Sequence, residues 1–162
     1  MVQSIRDGNE SMGARMVKCN SIGVYEHALT RGNSYEVVDE DAEKYRIVGD
    51  QGRRVWIPAS YFSREDEMIL MMEEWQFDDD TDTEYFIEVT IMFKDGSKRW
   101  CLLTTPEKLI EYFNNEIIDP PGINIKHLVI MKSMEKEAVE KTLRHLDNQG
   151  ELQEVTIFLS KS

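Results

Sequence analysis

The sequence predicts a two-part α+β protein, in which a small β-barrel is followed by an α+β sandwich with two helices on one face of its sheet. Three observations support this fold class. The first third of the chain has short alternating strands separated by turns rich in Gly and Asp. The second half alternates apolar strands with two amphipathic helices. A polar run at residues 63–67 separates the two parts, so we expect a flexible tail at 1–15, a barrel at 16–63 and a sandwich at 68–162.

The predicted barrel is built from short strands with period-two alternation. Tyr35 and Val37 belong to one face of the second strand, and Glu36 and Val38 belong to the other. Glycines on both sides of the next turn suit a hairpin, and Pro58 then ends the ladder because it lacks a backbone N–H. The expected strands are residues 16–19, 34–39, 44–48 and 53–57.

In the second half, one hairpin signal is strong and one strand is ambiguous. Residues 68–77 contain good helix formers, but Trp75 and Phe77 alternate with polar neighbours, so we interpret the segment as a strand. The pair Asp95-Gly96 predicts a hairpin. The remaining strands are expected at residues 85–93, 97–103, 126–131 and 151–159, the last with Val155, Ile157 and Leu159 facing the core.

Two helices are predicted from their capping residues. Thr105 is suited to the N-cap position and Pro106 to the first helical position. Ser133 is the expected N-cap of the second helix, which Gly150 ends. The apolar face of the first helix should comprise Leu109, Ile110, Tyr112, Phe113 and Ile117, and that of the second should comprise Val139, Leu143 and Leu146.

Charge and cysteine content restrict the function classes. A formal net charge of −12 disfavours binding to nucleic acid and to an anionic membrane surface, and it favours a basic protein partner. Cys19 and Cys101 are far apart in sequence, which fits buried thiols in a reducing cytoplasm. We find no signal peptide and no apolar run long enough to span a bilayer, so we expect a cytoplasmic protein.

Three stretches of the first third resemble an SH3 domain. They are Leu29-Thr30-Arg31-Gly32-Asn33 before a strand, Glu43-Lys44-Tyr45 after an acidic turn, and Ile57-Pro58-Ala59-Ser60-Tyr61 at the end. The resemblance covers residues 16–62 and extends to small SH3-like modules of Gram-positive bacterial proteins. It implies a protein-binding groove to which Tyr45, Pro58 and Tyr61 contribute. The ligand-stacking tryptophan of the family has no counterpart, so polyproline binding is not implied.

An acidic run follows the 68–77 strand. Asp78, Asp80 and Asp82 fit the first positions of a calcium-binding loop, but Thr83 and Val89 stand where that loop needs Gly and Glu. We therefore predict no metal site. Instead, we expect a negatively charged patch for a basic protein, with Trp75 as its aromatic anchor. The predicted patch consists of Asp78, Asp79, Asp80, Asp82 and Glu84.

No constellation in the sequence predicts catalysis or a cofactor. A nucleophilic pair of Cys101 and His127 is conceivable, but no third residue is available to orient it. We therefore expect a non-enzymatic acidic binding module of the immunity-protein, antitoxin or phage-inhibitor kind. The alternative is a small-molecule sensing module with a pocket at the junction of barrel and sandwich. The sequence leaves the oligomeric state open.

Overall fold

The computed structural model describes residues 14–161, and most of the tail expected at residues 1–15 lies outside the described residues. The described part is a mixed α+β protein with two sheets and two α-helices. The chain divides into two compact units, residues 1–69 and 70–162. Arg15, which the tail prediction included, is the first residue of a strand.

The first unit is an antiparallel five-stranded sheet in the order β4-β3-β2-β1-β5. Its core contains the inward residues Val17, Tyr35, Ile47 and Ile57, in agreement with the predicted alternation. A 3₁₀ turn, Ala59–Tyr61, separates the last two strands. The strands are β1 Arg15–Cys19, β2 Ser34–Glu40, β3 Lys44–Val48, β4 Arg54–Pro58 and β5 Phe62–Arg64.

The closed barrel expected from the sequence is not present. Within residues 14–161, β4 and β5 form the two ends of the sheet and no ladder joins them. The three residues of β5 pair only with β1, from Cys19↔Phe62 to Val17↔Arg64. Sequence analysis assigned most of this segment to a polar boundary, because a three-residue edge strand with one apolar residue has no detectable alternation.

The second unit follows the predicted order of strands and helices. Its sheet has the order β10-β8-β7-β6, and β9 also pairs with β8. β10 runs antiparallel along the first half of β8, and β9 runs parallel along the second half. The elements are β6 Met72–Phe77, β7 Ile87–Phe93, β8 Ser97–Thr104, α1 Pro106–Asn115, β9 Leu128–Ile130, α2 Lys136–Asn148 and β10 Ile157–Lys161.

The core of this unit lies between α2 and one face of the sheet. Alternate residues of β7 are completely or almost completely buried, from Ile87 to Phe93. Val139 and Leu143 of α2 belong to the same buried cluster, as predicted. The core therefore depends on α2, whereas α1 has no buried residue.

Helix α2 also covers one edge of the sheet. Arg144 donates to the backbone carbonyls of Met72 at 3.2 Å and Glu73 at 3.1 Å. The carboxylate of Asp147 accepts a hydrogen bond from the Met72 amide at 3.2 Å. These side chains satisfy backbone groups of the edge strand β6 that would otherwise be open to another chain.

The predicted N-cap of α1 is confirmed, but its predicted apolar face is half-buried at Leu109 and Tyr112 and exposed at the other three positions. Thr105 Oγ1 accepts from the Lys108 amide at 3.2 Å, and Pro106 opens the helix. However, Ile110 is 60% exposed and Phe113 is 47% exposed, and Ile117 lies beyond the helix end at full exposure. An i, i+3, i+7 pattern identifies a helix and does not determine whether the tertiary fold covers its apolar side.

The start of α2 also differs from the prediction. The helix begins at Lys136 with Glu135 as N-cap. Ser133 Oγ instead accepts from the Glu135 amide at 3.1 Å, so it stabilises the turn before the helix. The third buried position of the stripe is Asp147, and Leu146 is only half-buried.

Four strands are shorter than predicted, and one of them faces solvent. Strand β7 begins at Ile87 and not at residue 85. Regular structure is absent at residues 68–71 and begins at Met72, and β9 covers only three residues. Residues 152–155 form turns, and β10 begins at Ile157. Every residue of β10 is exposed, so the expectation that Ile157 and Leu159 face the core is wrong. These residues pair with the first half of β8.

Candidate protein-binding surface

The negative charge of the protein is concentrated in the second unit. Residues 70–162 contain 19 acidic and 10 basic side chains, a formal charge of −9. Residues 1–69 contain 12 acidic and 9 basic side chains, a formal charge of −3. An electrostatic surface for a basic partner is therefore to be sought on the second unit.

The acidic loop between β6 and β7 has a defined conformation. Asp78 accepts hydrogen bonds from the Thr90 hydroxyl at 2.6 Å and the Gln76 side-chain amide at 3.0 Å. Asp79 accepts from the Glu88 amide at 2.8 Å. These bonds join the start of the loop to β7, so the first two carboxylates have a structural role.

The centre of the loop presents carboxylates to solvent. Asp80 Oδ1 accepts from the Asp82 amide at 2.8 Å and thereby forms a local turn. The carboxylates of Asp82 and Glu84 are exposed, and neither has a hydrogen-bond partner or a cation among residues 14–161. These two side chains are available to an external partner.

Lys108 joins this loop to the first turn of α1. Its ammonium donates to the backbone carbonyls of Thr81 at 2.7 Å and Glu84 at 2.8 Å. Tyr85, directly after the loop, packs edge-to-face on Tyr112 with ring centroids 5.3 Å apart. One side of α1 is therefore held against the loop.

The opposite side of α1 faces solvent. Ile110 and Phe113 lie one turn apart on this side, and Glu107 and Glu111 are exposed on the same helix. Glu107 and Glu111 thus accompany two large exposed apolar side chains on this side, and the acidic loop lies at the side of α1 that holds Lys108. We name this the acidic–apolar surface: Asp78, Asp79, Asp80, Asp82, Glu84, Glu107, Glu111, Ile110 and Phe113.

Trp75, the aromatic residue that sequence analysis placed in this patch, has other contacts. Its indole N–H donates to Glu140 Oε1 at 2.5 Å, and its ring packs edge-to-face on Phe77 at 5.0 Å. Hydrogen bonds from Arg144 and Trp75 hold the pKa of the Glu140 carboxyl below its usual value. Trp75 packs against the core on the α2 side, so it is not an exposed anchor, whereas Phe113 of α1 is an exposed aromatic residue.

Tyr45, the first of the three residues carried by the SH3 resemblance, lines a cavity of about 380 Å³. The guanidinium of Arg15 lies 4.9 Å from the centroid of the Tyr45 ring and donates to its hydroxyl at 3.0 Å. On the inner side, the Tyr45 ring contacts Phe62 with centroids 5.9 Å apart. The cavity is also lined by Phe62, Ser63, Arg64, Glu65 and Glu67.

Pro58 and Tyr61 lie elsewhere in the first unit. Pro58 pairs with Lys44 at the end of β4, and Tyr61 packs edge-to-face on Tyr25 at 5.6 Å. Neither residue lines the cavity beside Tyr45. The three side chains do not form one groove.

The two thiols are buried and the conceivable Cys–His pair does not form. Burial raises the pKa of Cys19 to about 11 and that of Cys101 to about 12. Cys101 belongs to the core. The His127 ring instead packs on Trp100 at 4.5 Å, and Trp100, the residue before Cys101 in β8, faces the opposite side of the sheet. Within residues 14–161, no group of three or more His, Cys, Asp or Glu side chains could hold a metal ion.

A second exposed apolar surface lies along β10 but differs in charge. Ile157, Phe158 and Leu159 are 40%, 56% and 51% exposed. Lys98 pairs with Ser160 on the neighbouring strand, and Lys161 lies 3.9 Å from Asp95. This edge therefore has nearby lysines, and the acidic–apolar surface is the better match for a basic partner.

Comparison with known proteins identifies no matching family model, no matching curated protein and no matching solved structure. Neither of the helices described is long and apolar enough to cross a membrane. Sequence analysis found the acidic loop but missed Ile110 and Phe113 as surface residues, because their helical spacing is the usual signature of a core-facing side. A functional interpretation therefore depends on the geometry of the surface itself.

Proposed function

We propose that the protein is a non-enzymatic binding module whose acidic–apolar surface docks on a basic protein. The observation that carries the proposal is the attachment of the acidic loop to α1 through Lys108. Two hydrogen bonds, of 2.7 and 2.8 Å, place the loop carboxylates beside the helix that exposes Ile110 and Phe113. Glu107 and Glu111 add charge on the side of α1 that exposes these two apolar residues, so recognition by charge and burial of apolar area would use adjoining sides of one helix.

The two components of the surface have different roles in binding. The carboxylates attract a basic partner and raise the association rate, an effect that salt weakens. Ile110 and Phe113 lose exposed apolar area on docking, which slows dissociation. Burial of such side chains contributes about 25 cal/mol per Å² of apolar area removed from water. Neutralisation of a toxin, or inhibition of a basic enzyme by coverage of its surface, is the activity that this combination serves.

The first unit is included in the proposal as an SH3-like module with an open sheet. Its support is the strand order, in which β1 pairs with both β2 and β5 and so joins the β2-β3-β4 meander to the last strand. A register shift between Val37 and Asp39 bends β2. On this interpretation, Tyr45 is the SH3-matched residue that lines a cavity. Binding through Pro58 or Tyr61 would use surfaces outside that cavity.

The test is quantitative capture by the tagged full chain, followed by measurement of affinity for the purified partner. One variant carries Asp82→Lys and Glu84→Lys, whose carboxylates hold no bond within the described residues. A second carries Ile110→Ser and Phe113→Ser. The matched charge control carries Glu26→Lys and Glu36→Lys on the first unit, where both side chains are exposed. The apolar control is Val24→Ser, at a side chain that is 80% exposed.

We expect the first two variants to weaken binding at least about tenfold, or ~1.4 kcal/mol, and both controls to bind as the unchanged chain does. The charge variant should lower the association rate and reduce the salt dependence. The apolar variant should mainly raise the dissociation rate. Equal losses in the charge variant and its control would mean that only net charge matters, and the surface assignment would then be wrong.

A further inference from the structure

A second kind of site lies in the first unit, between the turn at residues 24–29 and the β3–β4 hairpin. The Asp50 amide donates to the Ala28 carbonyl at 2.8 Å and holds the hairpin against the turn. The cavity between them has a volume of about 280 Å³. It is lined by His27, Ala28, Gly49, Gln51, Arg53, Arg54 and Val55.

The lining of this cavity is cationic in a strongly acidic protein. It includes Arg53, Arg54 and His27, and no Asp or Glu. Neither arginine forms an ion pair or a side-chain hydrogen bond with any residue in the range 14–161. The cavity is thus a local positive region in a chain where acidic residues outnumber basic ones by 31 to 19.

The carboxylate of Asp50, next to Gln51 in the hairpin, is already bonded elsewhere. Asp50 accepts from the Tyr35 hydroxyl at 2.7 Å and the Thr30 hydroxyl at 2.8 Å. It does not line the cavity. Arg53 and Arg54 are exposed residues that line the cavity, and their guanidinium groups have no counter-charge among residues 14–161.

We propose that this cavity binds the phosphoryl group of a small molecule. Two guanidinium groups offer paired N–H donors that match phosphate oxygens, and the Gln51 amide adds a neutral donor. The volume corresponds to about nine waters at ~30 Å³ each, which leaves room beyond one phosphate. Ala28 and Val55 supply an apolar wall for an organic part of the ligand.

The test is an NMR titration of the ¹⁵N-labelled full chain at constant ionic strength. The probes are inorganic phosphate, pyrophosphate and a nucleoside diphosphate, with sodium chloride as the ionic control. We expect saturable shifts at the amides of Ala28, Gly49 and Gln51, with pyrophosphate binding more tightly than chloride. If the nucleoside diphosphate bound more tightly than pyrophosphate, the apolar wall would contact the nucleoside. If the two bound equally tightly, the cavity would recognise only the phosphoryl groups.

Two variants test whether the arginines are responsible. Arg53→Gln with Arg54→Gln should weaken pyrophosphate binding at least about tenfold, since two charge-assisted contacts are lost. Gln51→Glu keeps both arginines and adds a negative charge to the lining, so it should weaken binding as well. The control is Arg64→Gln, whose guanidinium is paired with Asp66 on an exposed segment. Absence of saturation up to about 10 mM, or unchanged affinity in the double variant with its spectrum intact, would overturn the proposal.

Discussion

Arg99 donates from Nε to the hydroxyl of Thr156 at 2.7 Å, and from Nη2 to the Thr156 carbonyl at 2.9 Å. A further bond reaches the Gln153 carbonyl at 3.1 Å. Arg99 lies on β8 and Thr156 directly precedes β10. One partly buried guanidinium therefore joins the turn before β10 to the sheet.

Replacement of this guanidinium should loosen the C-terminal strand. Arg99→Met keeps the apolar stem and removes all three bonds, so the buried Thr156 hydroxyl loses its donor and keeps only the bonds it donates itself, chiefly to the Leu152 carbonyl. We expect a loss of about 2–3 kcal/mol in the free energy of unfolding of the second unit, and faster hydrogen exchange at residues 152–161. Arg64→Met is the control, because its exposed pair with Asp66 should contribute under ~0.5 kcal/mol. Unchanged exchange at 152–161 would contradict the assigned role.

Alanine substitutions at three glycines distinguish the effect of backbone strain from that of steric conflict. Gly23 has φ +51°, and a Cβ there would lie 2.4 Å from the Tyr61 ring. Gly52 has φ +80° with open space around it, and Gly122 has open space without a positive φ. Gly122→Ala should leave the free energy of unfolding unchanged or raise it slightly. Gly52→Ala should lower it by about 1 kcal/mol, because alanine is strained at a positive φ. Gly23→Ala should lower it by about 1–3 kcal/mol more, because steric conflict is added to the strain. Urea denaturation, with hydrogen exchange to follow each unit, measures the stability of the three variants. Equal losses of stability in Gly23→Ala and Gly52→Ala would contradict the predicted order.

The N-cap of α1 can be tested by a matched pair. Thr105→Ala removes the oxygen that accepts from the Lys108 amide, while Thr105→Ser retains it. We expect the alanine variant to lose about 1 kcal/mol of stability and the serine variant to lose less than half of that. The readout is the urea midpoint of the second unit, and similar losses in both variants would assign the effect to the missing methyl group.

Thiol reactivity should be low in the folded protein. Burial raises the pKa of Cys19 to about 11 and of Cys101 to about 12, so both are protonated and covered at pH 8. A thiol reagent should label neither residue on a time scale of minutes, and both should react after denaturation in urea. Rapid labelling of Cys101 in the folded state would contradict its core position and reopen a nucleophilic role.

Tyr35 should make stability depend on alkaline pH. Burial, followed by its hydrogen bond to Asp50, raises the pKa of Tyr35 from 10.0 to about 12. The folded state therefore holds the proton more tightly than the unfolded state, so its stabilising contribution is complete below pH 10 and is lost as pH rises towards 12. Tyr35→Phe should be less stable at pH 8 and show a shallower decline above pH 10. Because Cys19 titrates in the same range, the unchanged protein is compared with Tyr35→Phe, and Cys19 is present in both. If stability declined equally steeply with pH in the two proteins, Tyr35 would not be the group responsible.

Local patterns predicted the elements better than they predicted what each element packs against. Thr105 and Pro106 identified the start of α1, because capping depends on neighbours within one turn. The alternation of Tyr35 and Val37 identified the inward face of β2. The predicted N-cap of α2, Ser133, is two residues before the actual N-cap, because Glu135 is the residue that directly precedes the helix.

The candidate site was only partly visible in the sequence. The acidic loop was found from its composition, and its carboxylates are indeed at the surface. Trp75 was chosen because it is three residues from Asp78, yet strand alternation directs the two side chains to opposite faces. The Lys108 bonds to Thr81 and Glu84 span 27 and 24 residues of sequence, and no local pattern reports such a contact.

The sequence by itself determined the α+β class, the order of elements in the second half, the strand alternation and the excess of negative charge. These properties depend on residue type and on the spacing of residues that are close in sequence, so a short stretch of the chain is enough to reveal them. Only the tertiary structure decided that the first sheet stays open, that α2 and not α1 covers the core, and that Ile110 and Phe113 face solvent on the side of α1 away from the acidic loop. Whether an apolar side chain is buried depends on which distant segment packs against it, and that is settled when the whole chain folds.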